Sequence, residues 1–118
     1  MEKIIECVIE VHKTLGPGFL ESVYRKALVI ELRAHGLKVE TEKEIVITYK
    51  GEEVGRHRLD VVVDAERMVE LKTVEALGKA HYAQVRSCIK ASGLNPALLV
   101  NFATSMADYR RVELEFDE

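Results

Sequence analysis

The stretch from Arg58 to Thr73 constrains this chain more than any other. It holds two β-branched runs, Leu59 to Val63 and Met68 to Leu71, with Asp64-Ala65-Glu66 between them, which is the pattern of a β-hairpin. Asp60, Glu70 and Lys72 interrupt the runs where apolar residues are expected. Side chains alternate across a strand, so Glu70 and Lys72 share one face while Val69 and Leu71 take the other. Register decides whether Asp60 joins them. A three-residue turn pairing Val63 with Arg67 sets Asp60 opposite Glu70. A two- or four-residue turn sends Glu70 and Lys72 to the far side, because a slip of one residue flips every side chain. We expect the three-residue turn, since charges buried on separate faces would each go unpaired at several kcal/mol per ion.

The flanking sequence supplies the rest of a domain. Apolar residues at helical spacing from Glu2 to Leu15 predict a first helix ending at Gly16-Pro17-Gly18. A second is predicted from about Phe19 to His35. Val39, Thr41, Ile45, Ile47 and Tyr49 fall on odd positions and predict a strand with one wet face. The segment Lys50-Gly51-Glu52-Glu53 turns into Val54 to Val63, and Met68 to Thr73 completes an antiparallel meander. A third helix is expected over Leu77 to Ser92. A buried strand follows from Ala97 to Phe102, parallel to its neighbour across the helix, and then an edge strand from Tyr109 to Phe116. The expected fold is α/β, a mixed sheet of four to five strands flanked by helices in the order ααβββαβ(β).

With 118 residues, 47% hydrophobic and no Trp, the chain fits a single domain over 1–118. No apolar run approaches the ~20 residues of a bilayer span, and Met1-Glu2-Lys3 lacks the basic start of a signal peptide. The expectation is a soluble, cytoplasmic protein. Cys7 and Cys88 lie in expected helices without a CxxC or nearby metal-ligand pattern, so they read as buried reduced thiols. A formal net charge of −3 argues against tight, metal-free binding to a nucleic-acid duplex.

Asp60, Glu70 and Lys72 together point to a divalent metal site. Mg²⁺ takes hard oxygen ligands, needs only one or two protein carboxylates, and fills its octahedron with water and phosphate oxygens. An exposed Leu71 carbonyl is a further candidate oxygen, and the Lys72 ammonium is placed to orient an attacking water. The competing reading is a structural ion pair on a solvated strand face. Two neighbouring features favour the site: Glu21 near the start of the second helix, and Gln84 in the helix after Lys72.

Gly18-Phe19-Leu20-Glu21-Ser22-Val23-Tyr24 has the pattern GxxExxY. With Asp60, Glu70-Leu71-Lys72 and the Asn101-Phe102 strand end, the chain resembles the GxxExxY proteins, small members of the PD-(D/E)XK nuclease superfamily. The resemblance runs from the first helix to Phe102 and implies an αβββαβ core that hydrolyses phosphodiester bonds with Mg²⁺ or Mn²⁺. It implies Asp60 and Glu70 as metal ligands, Lys72 as catalytic lysine, Glu21 as a further acidic ligand or water-holder, and Gln84 as an orienting residue. The superfamily's Pro before the Asp is replaced by Leu59.

Arg58 should share the face of Asp60, either gripping a phosphate bidentately or pairing with Asp60 or Glu70. His81, three residues before Gln84, is a candidate phosphate contact or, more commonly for a lone helical His, a packing residue. Tyr24 is a candidate for stacking a base, with a core aromatic as the more ordinary role. His12, His35 and His57 show no partner pattern and read as surface or packing residues. The expected activity is a metal-dependent nuclease acting on nucleic acid, DNA first, with a homodimer mate or partner protein helping so small a domain to grip. The alternative is a nuclease-like module that binds a partner without catalysis.

Overall fold

The computed structural model describes residues 1–115. Helices α1 (Glu2–Leu15) and α2 (Glu21–Ala34) precede strands β1 (Val39–Tyr49), β2 (Glu52–Val63) and β3 (Arg67–Lys72). Helix α3 (Lys79–Ser92) and strands β4 (Ala97–Asn101) and β5 (Asp108–Val112) follow. The strands form one sheet in sequential order. β3 and β4, joined through α3, run parallel, and every other neighbouring pair is antiparallel. Helices α1 and α2 pack on the sheet face bearing Val61, Val63, Val69, Leu71, Leu98 and Val100. Helix α3 covers the other, over Leu59, Val62, Met68 and Leu99. No helix among the described residues is long and apolar enough to cross a membrane.

The β2–β3 turn has three residues and Val63 pairs with Arg67, the register that keeps Asp60, Glu70 and Lys72 together. Asp64 and Ala65 make it with φ of 52° and 55°. Strict alternation along β1 and β2, by contrast, does not hold. Val39 packs with the α1/α2 side and Ile45 with the α3 side, although both are odd. Val61 and Leu59 divide in the same way. The break falls at Glu42, whose φ is 52°, and opposite it at Asp60, where the ladder skips from Thr41↔Val61 to Lys43↔Leu59. A left-handed residue inside a strand turns the following side chains over. No apolar pattern announces this, because Glu42 is neither Gly nor Asn.

Element ends shift for local reasons. α2 starts at Glu21 rather than Phe19, because Leu20 is extended with φ of −69° and ψ of 153°, and the Phe19 N–H is given to the Tyr24 hydroxyl (3.2 Å). The β1–β2 turn needs only Lys50-Gly51, with φ of 50° and 81°, the two-residue form that suits hairpin twist. β5 stops at Val112, opposite the first residue of β4. Beyond it the Leu114 backbone bonds the Asn95 side chain through both N–H (3.2 Å) and carbonyl (2.7 Å). Phe116, expected in this strand, lies outside the described residues. β4 ends at Asn101, whose buried amide bonds the Val74 N–H (3.2 Å), the Val74 carbonyl (2.8 Å) and the Ala103 N–H (3.1 Å). This ties the connection leaving Lys72 to the neighbouring strand.

Candidate active site

The break at Asp60 builds the site. Where β2 and β3 would exchange backbone hydrogen bonds, side chains replace them. The Leu71 N–H donates to Asp60 Oδ2 (3.0 Å) and the Asp60 N–H donates to a Glu70 carboxylate oxygen (3.1 Å). Each carboxylate is thereby held by the opposite strand, and both are buried, at 8% and 3% exposure. They open onto a cleft of about 410 Å³ between the start of α2, strands β2 and β3, and α3. Lys72 and Gln84 line it too, with Lys72 Nζ donating to Gln84 Oε1 (2.9 Å). Glu21 enters from the first residue of α2, and Arg58 lies exposed at the mouth.

Glu21 owes its place to the turn before it. Gly18 takes φ of 116°, a region closed to most side chains. Tyr24, one helical turn on from Glu21, donates its hydroxyl to the Gly16 carbonyl and accepts from the Phe19 N–H. Its ring is fully buried and stacks on Phe102 at 4.5 Å. The three named positions of GxxExxY thus divide into a bend, an acid and a lock.

Burial governs the acids of the cleft more than any shortage of cations, since Arg56, Arg58 and Lys72 line it beside Glu21, Asp60 and Glu70. Burial, and next the Asp60 carboxylate, push Glu70 up to about 8 despite Lys72. Burial and then Asp60 also raise Glu21, and burial followed by Glu70 and Asp60 pushes Cys88 up to about 11. Two fixed, buried carboxyl groups facing one cleft form a hard-oxygen donor set that fits Mg²⁺ or Mn²⁺.

Tyr24 and His81 take their more ordinary roles, and the Leu71 expectation changes. Tyr24 is walled into the core and offers no face to a substrate base. His81 lies outside the cleft, where its Nδ1 accepts the Gly78 N–H (2.9 Å) at the start of α3, so its ring is spent on capping. The Leu71 carbonyl is not exposed, because Leu71 is wholly buried; its N–H is the group that touches the site. Among the described residues, Glu21, Asp60 and Glu70 do not bring three ligand oxygens within 4.8 Å of one another. No ion pair joins Arg58 to either acid among the described residues.

Arg56, His57, Ser87 and Cys88 also line the cleft, although none is expected there from the sequence. His57 Nε2 lies 2.6 Å from Ser87 Oγ while its Nδ1 donates to the Arg56 carbonyl (3.1 Å). Ser87 and Cys88 are three and four residues after Gln84, a spacing that shares one helix face. That spacing was a usable signal. For His57 none existed, because its facing depends on the break at Asp60.

A family model for the PD-(D/E)XK nuclease superfamily matches residues 1–112. No curated protein matches the chain. Among solved structures, the crystal structure of SSO0001 is similar, with a TM-score of 0.64 and 17% identity over 81% of this chain and 50% of that one. This chain spans half the length of that protein, and the likeness is one of fold. The family match over nearly the whole length agrees with the two-faced mixed sheet and the paired Asp60 and Glu70: the chain belongs to the PD-(D/E)XK nuclease superfamily.

Proposed function

We propose that this chain is a metal-dependent nuclease that hydrolyses phosphodiester bonds of DNA, with Mg²⁺ or Mn²⁺ held by Asp60 and Glu70. The observation that carries the reading is the pair of buried acids, Asp60 and Glu70, each fixed by the opposite strand and facing one cleft. A bound divalent ion would supply an acidified water and screen the scissile phosphate.

The chain's own residues do the remaining work. Gln84 holds Lys72 Nζ beside the acids, where the ammonium orients the attacking water and offsets charge building on the phosphate. Glu21, raised by burial and by Asp60, accepts a hydrogen bond from that water. Arg58 at the mouth grips a phosphate through its planar fork. The bend, acid and lock at Gly18, Glu21 and Tyr24 support a place among the GxxExxY proteins. A second copy or a partner protein would extend the grip, since Phe19 and Leu20 stand exposed beside Glu21, Leu20 at 76%.

Those exposed side chains also favour a second reading, a module that keeps the fold and binds a partner without cutting. Incubating single- and double-stranded DNA with Mn²⁺ and either wild type or Lys72→Ala separates the two. The nuclease reading expects metal-dependent cutting that falls about 100-fold or more in Lys72→Ala. Equal cutting by both proteins would remove Lys72 from the mechanism, and no cutting by wild type would favour the module.

A further inference from the structure

A second group of metal-ligating side chains lies away from the cleft, between the start of α1 and the end of α2. Cys7, Glu31 and His35 bring a sulfur, a carboxylate oxygen and a ring nitrogen within 4.8 Å of one another. Glu31 and His35 are four residues apart, one turn on one face, and His35 Nε2 stands 3.2 Å from Glu31 Oε2. Cys7 comes across from α1 because the Gly16-Pro17-Gly18 turn folds the two helices into a hairpin. Ten residues of helix, roughly 15 Å, separate Glu31 from Glu21 and the cleft.

We propose that Cys7, Glu31 and His35 form a Zn²⁺ site that clamps the α1–α2 hairpin. The donor set decides the metal. Thiolate with imidazole is borderline-soft and suits Zn²⁺, whereas Mg²⁺ takes oxygen ligands. Zn–S near 2.3 Å and Zn–N near 2.0 Å give tetrahedral edges of roughly 3.3–3.6 Å; Glu31 and His35, hydrogen-bonded at 3.2 Å, already lie near that spacing, and the Cys7 sulfur lies within 4.8 Å of both. Exposure is graded, with Cys7 buried, Glu31 intermediate and His35 exposed, so an ion enters past His35 and reaches the thiol last. Three protein ligands leave one position for water. The clamp secures the far end of the helix whose first residue is Glu21.

Co²⁺ added to the reduced, metal-free full chain is the test, because a cobalt–thiolate bond gives a charge-transfer absorption that oxygen ligands do not. Saturation at one equivalent is expected in wild type. The band should persist in Cys88→Ala and Asp60→Asn, which removes the cleft as its source, and vanish in Cys7→Ala. His35→Ala, at an exposed helix end and so safe for folding, should bind Co²⁺ at least about tenfold more weakly. Absence of the band in wild type, its loss in Cys88→Ala, or undiminished affinity in His35→Ala would each overturn the site.

Discussion

Glu70 answers to both a proton and a cation. Its carboxyl is pushed up to about 8 by burial and by Asp60, so the folded state holds a proton that the unfolded chain releases near 4.5. A raised folded value stabilises fully below the unfolded value and is lost as pH rises through the folded one. Without metal, thermal stability should therefore fall between about pH 5 and pH 8, and Glu70→Gln should flatten that slope by a few kcal/mol at its upper end. Melting temperatures across that range check it; an equal slope in the variant would contradict it. Metal competes with the same proton, so stabilisation by Mn²⁺ should be greater at pH 8 than at pH 6. The triad was legible in the sequence because Asp60, Glu70 and Lys72 occupy one hairpin, where turn length alone sets the facing. For His81 and Tyr24 the sequence left a site role and a packing role open, because residue type and spacing do not show which polar groups are already engaged. His81 is committed to Gly78, and Tyr24 to Gly16 and Phe19.

At the scale of elements, two devices aim the groups of the cleft. The Gly16-Pro17-Gly18 turn sets the start of α2. Gly18→Ala should cost about 1–3 kcal/mol from its positive φ, and Tyr24→Phe roughly 1–3 kcal/mol by orphaning a backbone donor and acceptor. Both should lower cutting more than their stability loss explains, through displacement of Glu21; denaturant unfolding beside single-turnover rates separates these effects. Asn101 is the other device. Asn101→Ala strips three backbone partners around Val74 and should cost roughly 2–4 kcal/mol, loosening the connection between Lys72 and α3 where Gln84 sits. The sequence marked the Gly-Pro-Gly turn openly. The reversal of faces at Glu42 and Asp60 stayed hidden, since a left-handed Glu inside a strand follows from the pairing of two strands rather than from either one.

At the scale of the whole molecule, helix and strand periods were enough for the layered fold, and the parallel β3–β4 pair followed from the helix between them. Contacts between distant segments were not legible in this way. Cys7 meets Glu31 and His35, and Ser87 meets His57, only once helices and sheet have packed. The central claim is that Asp60 and Glu70 hold a divalent ion, and thermal unfolding of wild type and Asp60→Asn, with and without millimolar Mn²⁺ at pH 8, tests it without a substrate. A ligand that binds only the folded state raises stability by about 2.7 kcal/mol at one hundred times its Kd, a shift of several degrees for a domain of this size. The account predicts that rise in wild type and its loss in Asp60→Asn. An equal rise in both proteins, or none in wild type, would contradict it.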